Sequence, residues 1–134
     1  MAYPLQSDDT GKLILRLLLG ALMLLHGIAK ATNPEGLAGI SGMLVKHGLP
    51  AFIAYGAYVG EILAPLMLIL GIFTRIGALI IVVNMLFAIG LAHMADLFTL
   101  GKQGGWALEL QGFYLFTGIA LYFLGSGKFA VKPD

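Results

Sequence analysis

The sequence predicts an all-α membrane protein, a bundle of four transmembrane helices with a short interfacial helix between the first and second spans. The composition indicates a membrane protein, because 59% of the residues are hydrophobic, 11% are charged and the mean hydropathy is +0.92. Four apolar runs are each long enough to cross a hydrocarbon core of about 30 Å. They comprise residues 12–30, 51–73, 76–95 and 106–124, and we expect residues 1–134 to form one membrane domain around them.

The composition also excludes several classes of function. The chain has no cysteine, which excludes a disulfide framework, a thiol relay and a thiolate metal site on this chain. The net charge of +1, without a basic cluster, gives no indication of a nucleic-acid partner. Asp8 and Asp9 precede the first apolar run and no cleavage-site pattern follows it, so we expect a retained helix rather than a signal peptide.

The first span carries a cation near each end and a histidine within it. Arg16 lies in its first turns and Lys30 at its far end, so both are predicted to extend to the lipid headgroups as interfacial anchors. His26 lies inside the apolar run, beside Gly27, and shares a helix face with Lys30 because the two are four residues apart. His26 is therefore a candidate ligand-binding residue.

Residues 31–50 connect the first two spans, with a turn signal at each end of the connection. Between the turns, apolar residues recur at helical spacing, namely Leu37, Ile40, Met43 and Leu44. The segment is too short to span a membrane, so it is predicted to be a surface helix. It would be either a lid over a functional site or a simple interfacial helix.

The second span places a carboxylate, Glu61, near the middle of the membrane. An ionisable group at that depth costs about 2–4 kcal/mol, so we expect Glu61 to face a partner or a wet cavity. Gly56 and Gly60 allow another helix to approach closely, and Pro65 removes the hydrogen bond to the Glu61 carbonyl and predicts a kink. Two interpretations stay open, a functional buried acid and a structural ion pair.

The third and fourth spans add further polar residues. Arg75 marks a tight turn after the second span, which predicts an antiparallel hairpin of spans two and three. Asn84 lies in the middle of the third span and His93 near its far end. Trp106 opens the fourth span as an interface anchor, and Glu109 follows within the first two turns.

Four spans would place both termini on the same side of the membrane. That side would carry five of the eight Lys and Arg residues, which favours a cytoplasmic location for both termini: Lys12, Arg16, Arg75, Lys128 and Lys132, against Lys30, Lys46 and Lys102 on the other side.

Polar residues from the four spans are predicted to form a pocket in the outer half of the bundle. Glu61, His26, His93 and Glu109 each come from a different span, and Asn84 lies at a similar depth to Glu61. Such a pocket suits a proton relay or a quinone headgroup, because a quinone carbonyl needs a donor such as histidine or a protonated carboxyl group. Bis-histidine haem ligation remains an alternative. No metal site is predicted, since no ligands recur at a spacing such as E-x-x-H.

An ordered set of residues covers nearly the whole chain, about residues 12–128. The set is Arg16, Gly20, His26-Gly27, Lys30, Gly48-Leu49-Pro50, Glu61, Gly71-Ile72-Phe73-Thr74-Arg75, His93 and Gly125-Ser126-Gly127. In order and spacing it resembles the DoxX family of small four-span bacterial membrane proteins. The chain departs from the usual family ending, because Lys128-Phe129-Ala130 follow the last glycine where an acid is common.

The resemblance implies a multi-pass protein of the bacterial cytoplasmic (inner) membrane with a redox association, since the family is named after a membrane subunit type of a thiosulfate:quinone oxidoreductase. Our first hypothesis is a redox-associated subunit that binds a quinone or a similar lipid-soluble molecule. The second is a non-catalytic scaffold that recruits a soluble redox or stress-response enzyme. A third, a small-molecule or proton transporter, would require a homo-oligomer.

Overall fold

The structure is a computed structural model that describes residues 6–134, with the side chain of Pro34 left out of the description. The described chain is helical and contains no β-strand. We number five helices in chain order: α1 (Asp8–Thr32), α2 (Pro34–Lys46), α3 (Ala51–Leu70), α4 (Thr74–Ala92) and α5 (Glu109–Leu124). A 3₁₀ turn, Met94–Asp96, follows α4.

Three of the described helices, α1, α3 and α4, are long and apolar enough to cross a membrane. The fourth predicted run forms a shorter helix than expected, because α5 has 16 residues and begins at Glu109 rather than at residue 106. At 1.5 Å per residue, α5 is about 24 Å long. The apolar helices support a membrane protein, and the fourth span stays a prediction.

The first helix begins before the apolar run that predicted it. Ser7 precedes α1, and its hydroxyl oxygen accepts a hydrogen bond from the Thr10 amide at 3.2 Å. Asp8 and Asp9 occupy the first turn, where their negative charge stabilises the N-terminus of the helix. Residues 1–5, which precede this helix in the sequence, lie outside the described part of the chain.

The helices pack around one apolar core, which includes Met23, Leu68, Ile81, Tyr114 and Leu121. Glycines let the helix backbones approach closely at two crossings. Gly20 faces the Pro65 carbonyl across the contact between α1 and α3, and Gly118 faces the Ala78 carbonyl across the contact between α5 and α4. A Cβ on Gly20 would lie 2.9 Å from the Pro65 oxygen, too close without a shift of the helices, and one on Gly118 would make a tight contact of 3.3 Å with the Ala78 oxygen.

The turn between α3 and α4 is tight, as the sequence predicts. Gly71 and Phe73 both adopt a left-handed conformation, with φ of 76° and 48°. The turn reverses the chain within three residues, so α3 and α4 run antiparallel. The segment after α5 folds back on this turn, where the Val131 amide donates to the Leu70 carbonyl and the Lys132 amide to the Gly71 carbonyl, both at 3.0 Å.

The connection between α1 and α3 forms a helix, as its apolar periodicity predicts. Asn33 caps α2 by accepting a hydrogen bond from the Glu35 amide at 3.2 Å. Leu44 is buried, and α2 packs against the first turns of α3. This contact places α2 over the end of the bundle where α1 ends and α3 begins.

Candidate functional site

Glu61 is the centre of a buried polar cluster. It is 5% exposed, and its two carboxylate oxygens bind different helices. Oε1 accepts a hydrogen bond from Lys30 Nζ of α1 at 2.5 Å, and Oε2 accepts one from Asn84 Nδ2 of α4 at 3.2 Å. The cluster therefore joins three helices through one carboxylate, and it gives Glu61 the partner that its depth requires.

The backbone around Glu61 is irregular for an identifiable reason. Pro65 has no amide hydrogen to donate to the Glu61 carbonyl, and residues Val59–Leu63 form a π-helical turn. The Glu61 carbonyl faces Gly27 of α1, where a Cβ atom would overlap with it. The sequence predicts a kink at this point, and the irregularity takes the form of a π-turn that turns the Glu61 carbonyl toward α1.

A second glycine brings α3 against the amide of the cluster. A Cβ atom on Gly60 would lie 2.6 Å from both Cβ and Cγ of Asn84, which is closer than side-chain atoms can approach. Because Gly60 has no side chain, Asn84 can reach the carboxylate of the next residue along α3. The close contact that Gly60 predicts is therefore present, and the side chain of Asn84 makes it.

A cavity of about 610 Å³ lies beside this cluster, between α2, α3 and α4. Its polar wall consists of Lys30, Glu61, Asn84 and His93. The rest of the lining is apolar or glycine: Ile40, Met43, Leu44, Ile53, Ala54, Gly56, Ala57, Val59, Gly60, Leu79, Ile80, Val83, Phe87, Ala88, Leu91 and Ala92. A volume of this size with a few convergent polar groups is typical of small-molecule sites.

His93 lies at the end of α4, where the helix stops and the chain turns. Its backbone amide donates to the Ile89 carbonyl at 3.0 Å, which closes the last turn of the helix. The imidazole lies between two other polar side chains, with Nε2 3.5 Å from the Gln111 amide nitrogen and Nδ1 3.9 Å from an Asp96 carboxylate oxygen. Gln111 of α5 is thus linked to the cavity through His93, a role that the sequence does not assign to it.

The structure does not bring all five predicted ligand-binding residues together. Glu61, Asn84 and His93 line the cavity, whereas His26 and Glu109 do not. His26 packs edge-on against the ring of Tyr114, with ring centroids 5.9 Å apart. Glu109 is exposed at the start of α5, with its carboxylate beside Gly105. His26 and His93 therefore do not face a common space in which to hold haem.

Two residues predicted to be interfacial anchors have other contacts. Arg16 is 1% exposed and does not extend to the headgroups. Its guanidinium donates to the carbonyls of Leu68, Ile69, Ser126 and Phe129 at 2.7–3.4 Å. Lys30 turns inward to pair with Glu61. Both cations point inward for the same reason. The buried carbonyls around Arg16 and the Glu61 carboxylate beside Lys30 bind these cations more strongly than exposed headgroups do.

Arg75 and Trp106 lie at the ends of helices. Arg75 is exposed in the first turn of α4, where its backbone amide donates to Asp134 Oδ2 at 3.1 Å and its guanidinium Nε to the Asp134 carbonyl at 3.3 Å. Trp106 precedes α5, and its indole Nε1 donates to the Leu97 carbonyl at 2.8 Å. Its ring covers Gly112, so Trp106 fixes the loop before α5 to the helix.

The described residues contain no group of three or more His, Asp or Glu side chains that could hold a metal ion. The Glu61 carboxylate already accepts hydrogen bonds from a cation and an amide at its two oxygens. The chemistry that the cavity offers is therefore hydrogen-bond donation, from the Lys30 ammonium, the Asn84 amide and the His93 imidazole.

Curated proteins of two bacteria are similar to this chain over most of its length. "Putative oxidoreductase CatD" of Bacillus subtilis (strain 168) is 30% identical over 128 residues, covering 96% of this chain and 89% of that protein. An uncharacterized protein of Haemophilus influenzae is 34% identical over 125 residues, covering 90% of this chain and 85% of that protein. No solved structure matches the chain.

The DoxX family model matches residues 11–94. That range includes every residue that lines the cavity, from Lys30 to His93. The match confirms the resemblance noted in the sequence, and this chain belongs to the DoxX family.

Proposed function

We propose that this protein binds a quinone, or a similar lipid-soluble carbonyl compound, in the cavity between α2, α3 and α4, as a redox-associated membrane subunit. The observation that carries the proposal is the composition of the cavity wall. Three hydrogen-bond donors, Lys30, Asn84 and His93, line a 610 Å³ space whose remaining lining is apolar except for the Glu61 carboxylate. A quinone headgroup has the matching chemistry, because its carbonyl oxygens accept hydrogen bonds and its ring and tail are apolar.

The donors have capacity beyond the bonds that they already make. Lys30 Nζ carries three hydrogens, and one hydrogen bond goes to Glu61. Asn84 Nδ2 carries two, and again one goes to Glu61. In this proposal Lys30, Asn84 and His93 contact the ligand carbonyls. Glu61 is a positioning residue that orients the ammonium and the amide.

Apolar side chains open one wall of the cavity toward the lipid. Val59 of α3 and Leu79, Val83 and Phe87 of α4 line the cavity and are each 43–47% exposed. Both helices are long and apolar enough to span the membrane, so these exposed side chains would contact acyl chains. A ligand with a long apolar tail could therefore enter from the bilayer and leave its tail between α3 and α4.

The membrane arrangement is part of the same proposal. We place α5 as a fourth span, because it packs along α4 and closes the bundle against α1. We place α2 at the outer membrane surface, where it covers the cavity. Both termini would then be cytoplasmic, and the protein would lie in the inner membrane. The support for this orientation is the larger number of Lys and Arg residues at the end that carries the termini, five against three.

The redox association rests on the name of the Bacillus subtilis relative, an oxidoreductase. The present chain has no cysteine and no dinucleotide-binding fingerprint. We therefore assign it ligand binding and assign the electron supply to a separate soluble protein. No described residue is proposed to carry electrons.

A binding titration with decylubiquinone in mild detergent tests the proposal. We expect saturable binding to the wild type and about tenfold weaker binding to His93→Ala, since one lost hydrogen bond is worth about 1–1.5 kcal/mol. His93→Gln, which keeps a donor, should bind within about threefold of the wild type. His26→Ala and Glu109→Gln are matched controls, because both residues lie outside the cavity.

Two results would contradict the assignment. Equal weakening by His93→Ala and His26→Ala would show that binding does not depend on the cavity. Absence of saturable binding to the folded wild type would remove the quinone from the proposal, and the scaffold hypothesis would then be the one to pursue.

A further inference from the structure

The end of the bundle opposite the cavity carries a second, smaller depression of about 350 Å³. It lies where α1 and α4 begin and α5 ends, and its lining includes three cations, Lys12, Arg75 and Lys128, against one carboxylate, Asp134. We call it the cationic depression. Its residues contribute nothing to the proposed quinone site, which lies at the other end of the helices.

The glycine-rich segment after α5 shapes this depression. Gly125 and Gly127 both have positive φ values, of 77° and 73°. A Cβ on Gly125 would lie 2.8 Å from an Arg75 guanidinium nitrogen, and one on Gly127 would lie 3.2 Å from Cβ of Lys12. The absence of side chains at these two positions lets the backbone lie directly against the Arg75 guanidinium and the aliphatic part of the Lys12 side chain.

The single carboxylate in the lining is already engaged. Asp134 Oδ2 accepts a hydrogen bond from the Arg75 amide in the first turn of α4, where the positive end of the helix stabilises it. Among residues 6–134, neither Lys12 nor Lys128 has a carboxylate oxygen within 4.0 Å of its ammonium group. A second carboxylate, Asp9, lies beside the depression, where its Oδ1 accepts a hydrogen bond from the Lys128 amide at 2.9 Å. Three cations against these two carboxylates leave one net positive charge that an anion can approach.

We propose that the cationic depression binds the phosphate of an anionic phospholipid headgroup. Its position favours a lipid over a soluble phosphate, because it lies at the ends of two helices that are long enough to span the membrane. Leu124 also lines it, is 42% exposed and adjoins Phe123, which is 73% exposed. An acyl chain could lie along these apolar side chains while the headgroup contacts the cations.

Thermal unfolding in detergent with added short-chain lipids tests this proposal. Dioctanoyl phosphatidylglycerol should raise the melting temperature of the wild type at concentrations at least tenfold below those needed with dioctanoyl phosphatidylcholine. The Lys12→Gln/Lys128→Gln double variant should require about 25-fold more phosphatidylglycerol, since each cation near a membrane surface contributes about fivefold. Both substitutions are at the surface of the chain, and the melting temperature without lipid checks that the variant folds.

The Lys46→Gln/Lys102→Gln double variant is the matched control, because it removes the same charge at the opposite end of the bundle. It should respond to phosphatidylglycerol like the wild type. Equal loss of response in both double variants would overturn the proposal, as would equal stabilisation by the two lipids. Stabilisation of the wild type by millimolar inorganic phosphate, abolished in the Lys12→Gln/Lys128→Gln variant, would overturn the lipid assignment in favour of a soluble phosphate ligand.

Discussion

Lys30, in the last turn of α1, and Glu61, in the middle of α3, form an ion pair whose members are unequally buried. The side chain of Lys30 is 27% exposed, whereas that of Glu61 is 7% exposed. Loss of the lysine would leave a largely buried carboxylate without its cation, whereas loss of the carboxylate would leave an ammonium that can turn outward. The pair should therefore respond asymmetrically to mutation.

We expect Lys30→Met to destabilise the protein by about 3 kcal/mol, because it leaves the buried Glu61 charge without its cation. Glu61→Gln should cost only about 1 kcal/mol, since glutamine keeps the acceptor for Asn84 and Lys30 can reach the surface. Thermal unfolding of both variants in the same detergent measures the difference. A larger cost for Glu61→Gln than for Lys30→Met would contradict this account of the pair.

Gly27→Ala should destabilise the protein by about 2–3 kcal/mol, because the new methyl group would overlap with the Glu61 carbonyl and separate α1 from α3. Gly90→Ala is the matched control, since Gly90 lies within α4 and a Cβ there meets nothing within 4 Å. It should leave stability unchanged or raise it by up to about 1 kcal/mol. If the two variants unfold at the same temperature, Gly27 is not a close contact.

Arg16→Met should release the segment after α5, because the guanidinium holds the Ser126 and Phe129 carbonyls to those of Leu68 and Ile69 at the end of α3. We expect trypsin to cleave after Lys128 at least tenfold faster than in the wild type. Arg75→Gln removes an exposed cation that makes one side-chain bond to the same segment, and it should change the cleavage rate by less than about threefold. Equal acceleration in both variants would contradict a specific role for Arg16.

The chain has no cysteine, so single cysteines can report the topology without a background signal. If α5 is a fourth span, Lys102→Cys before it and Lys132→Cys after it should react with a membrane-impermeant maleimide from opposite sides. In intact cells, the cysteine at position 102 should be labelled and the cysteine at position 132 protected. Labelling of both from the outside would show that α5 does not cross the membrane.

The sequence predicts those features of the site that depend only on how deep in the membrane a residue lies. Rise per residue places Glu61 and Asn84 at similar depths, and the energetic cost of a buried charge predicts that Glu61 has a partner. Gly60 indicates a close contact by its size alone. These features need no knowledge of how each helix is rotated.

The sequence does not predict how each helix is rotated about its own axis. Both α4 and α5 are apolar on nearly every face, so neither has a polar stripe that shows which residues face the core. For this reason the position of Glu109 outside the cavity could not be predicted. The anchor role that the sequence predicts for Arg16 is wrong, because its partners are backbone carbonyls, which leave no pattern in the sequence.

The most direct test of the cavity is the identity and amount of lipid-soluble material that the protein retains through purification. Val83→Trp would fill the cavity from its exposed side, and Leu86→Trp is a matched control on the same helix, also exposed and outside the lining. Mass spectrometry of solvent extracts should detect about one quinone per wild-type or Leu86→Trp protein and at least fivefold less with Val83→Trp. Equal quinone in all three, or none in the folded wild type, would contradict the proposed site.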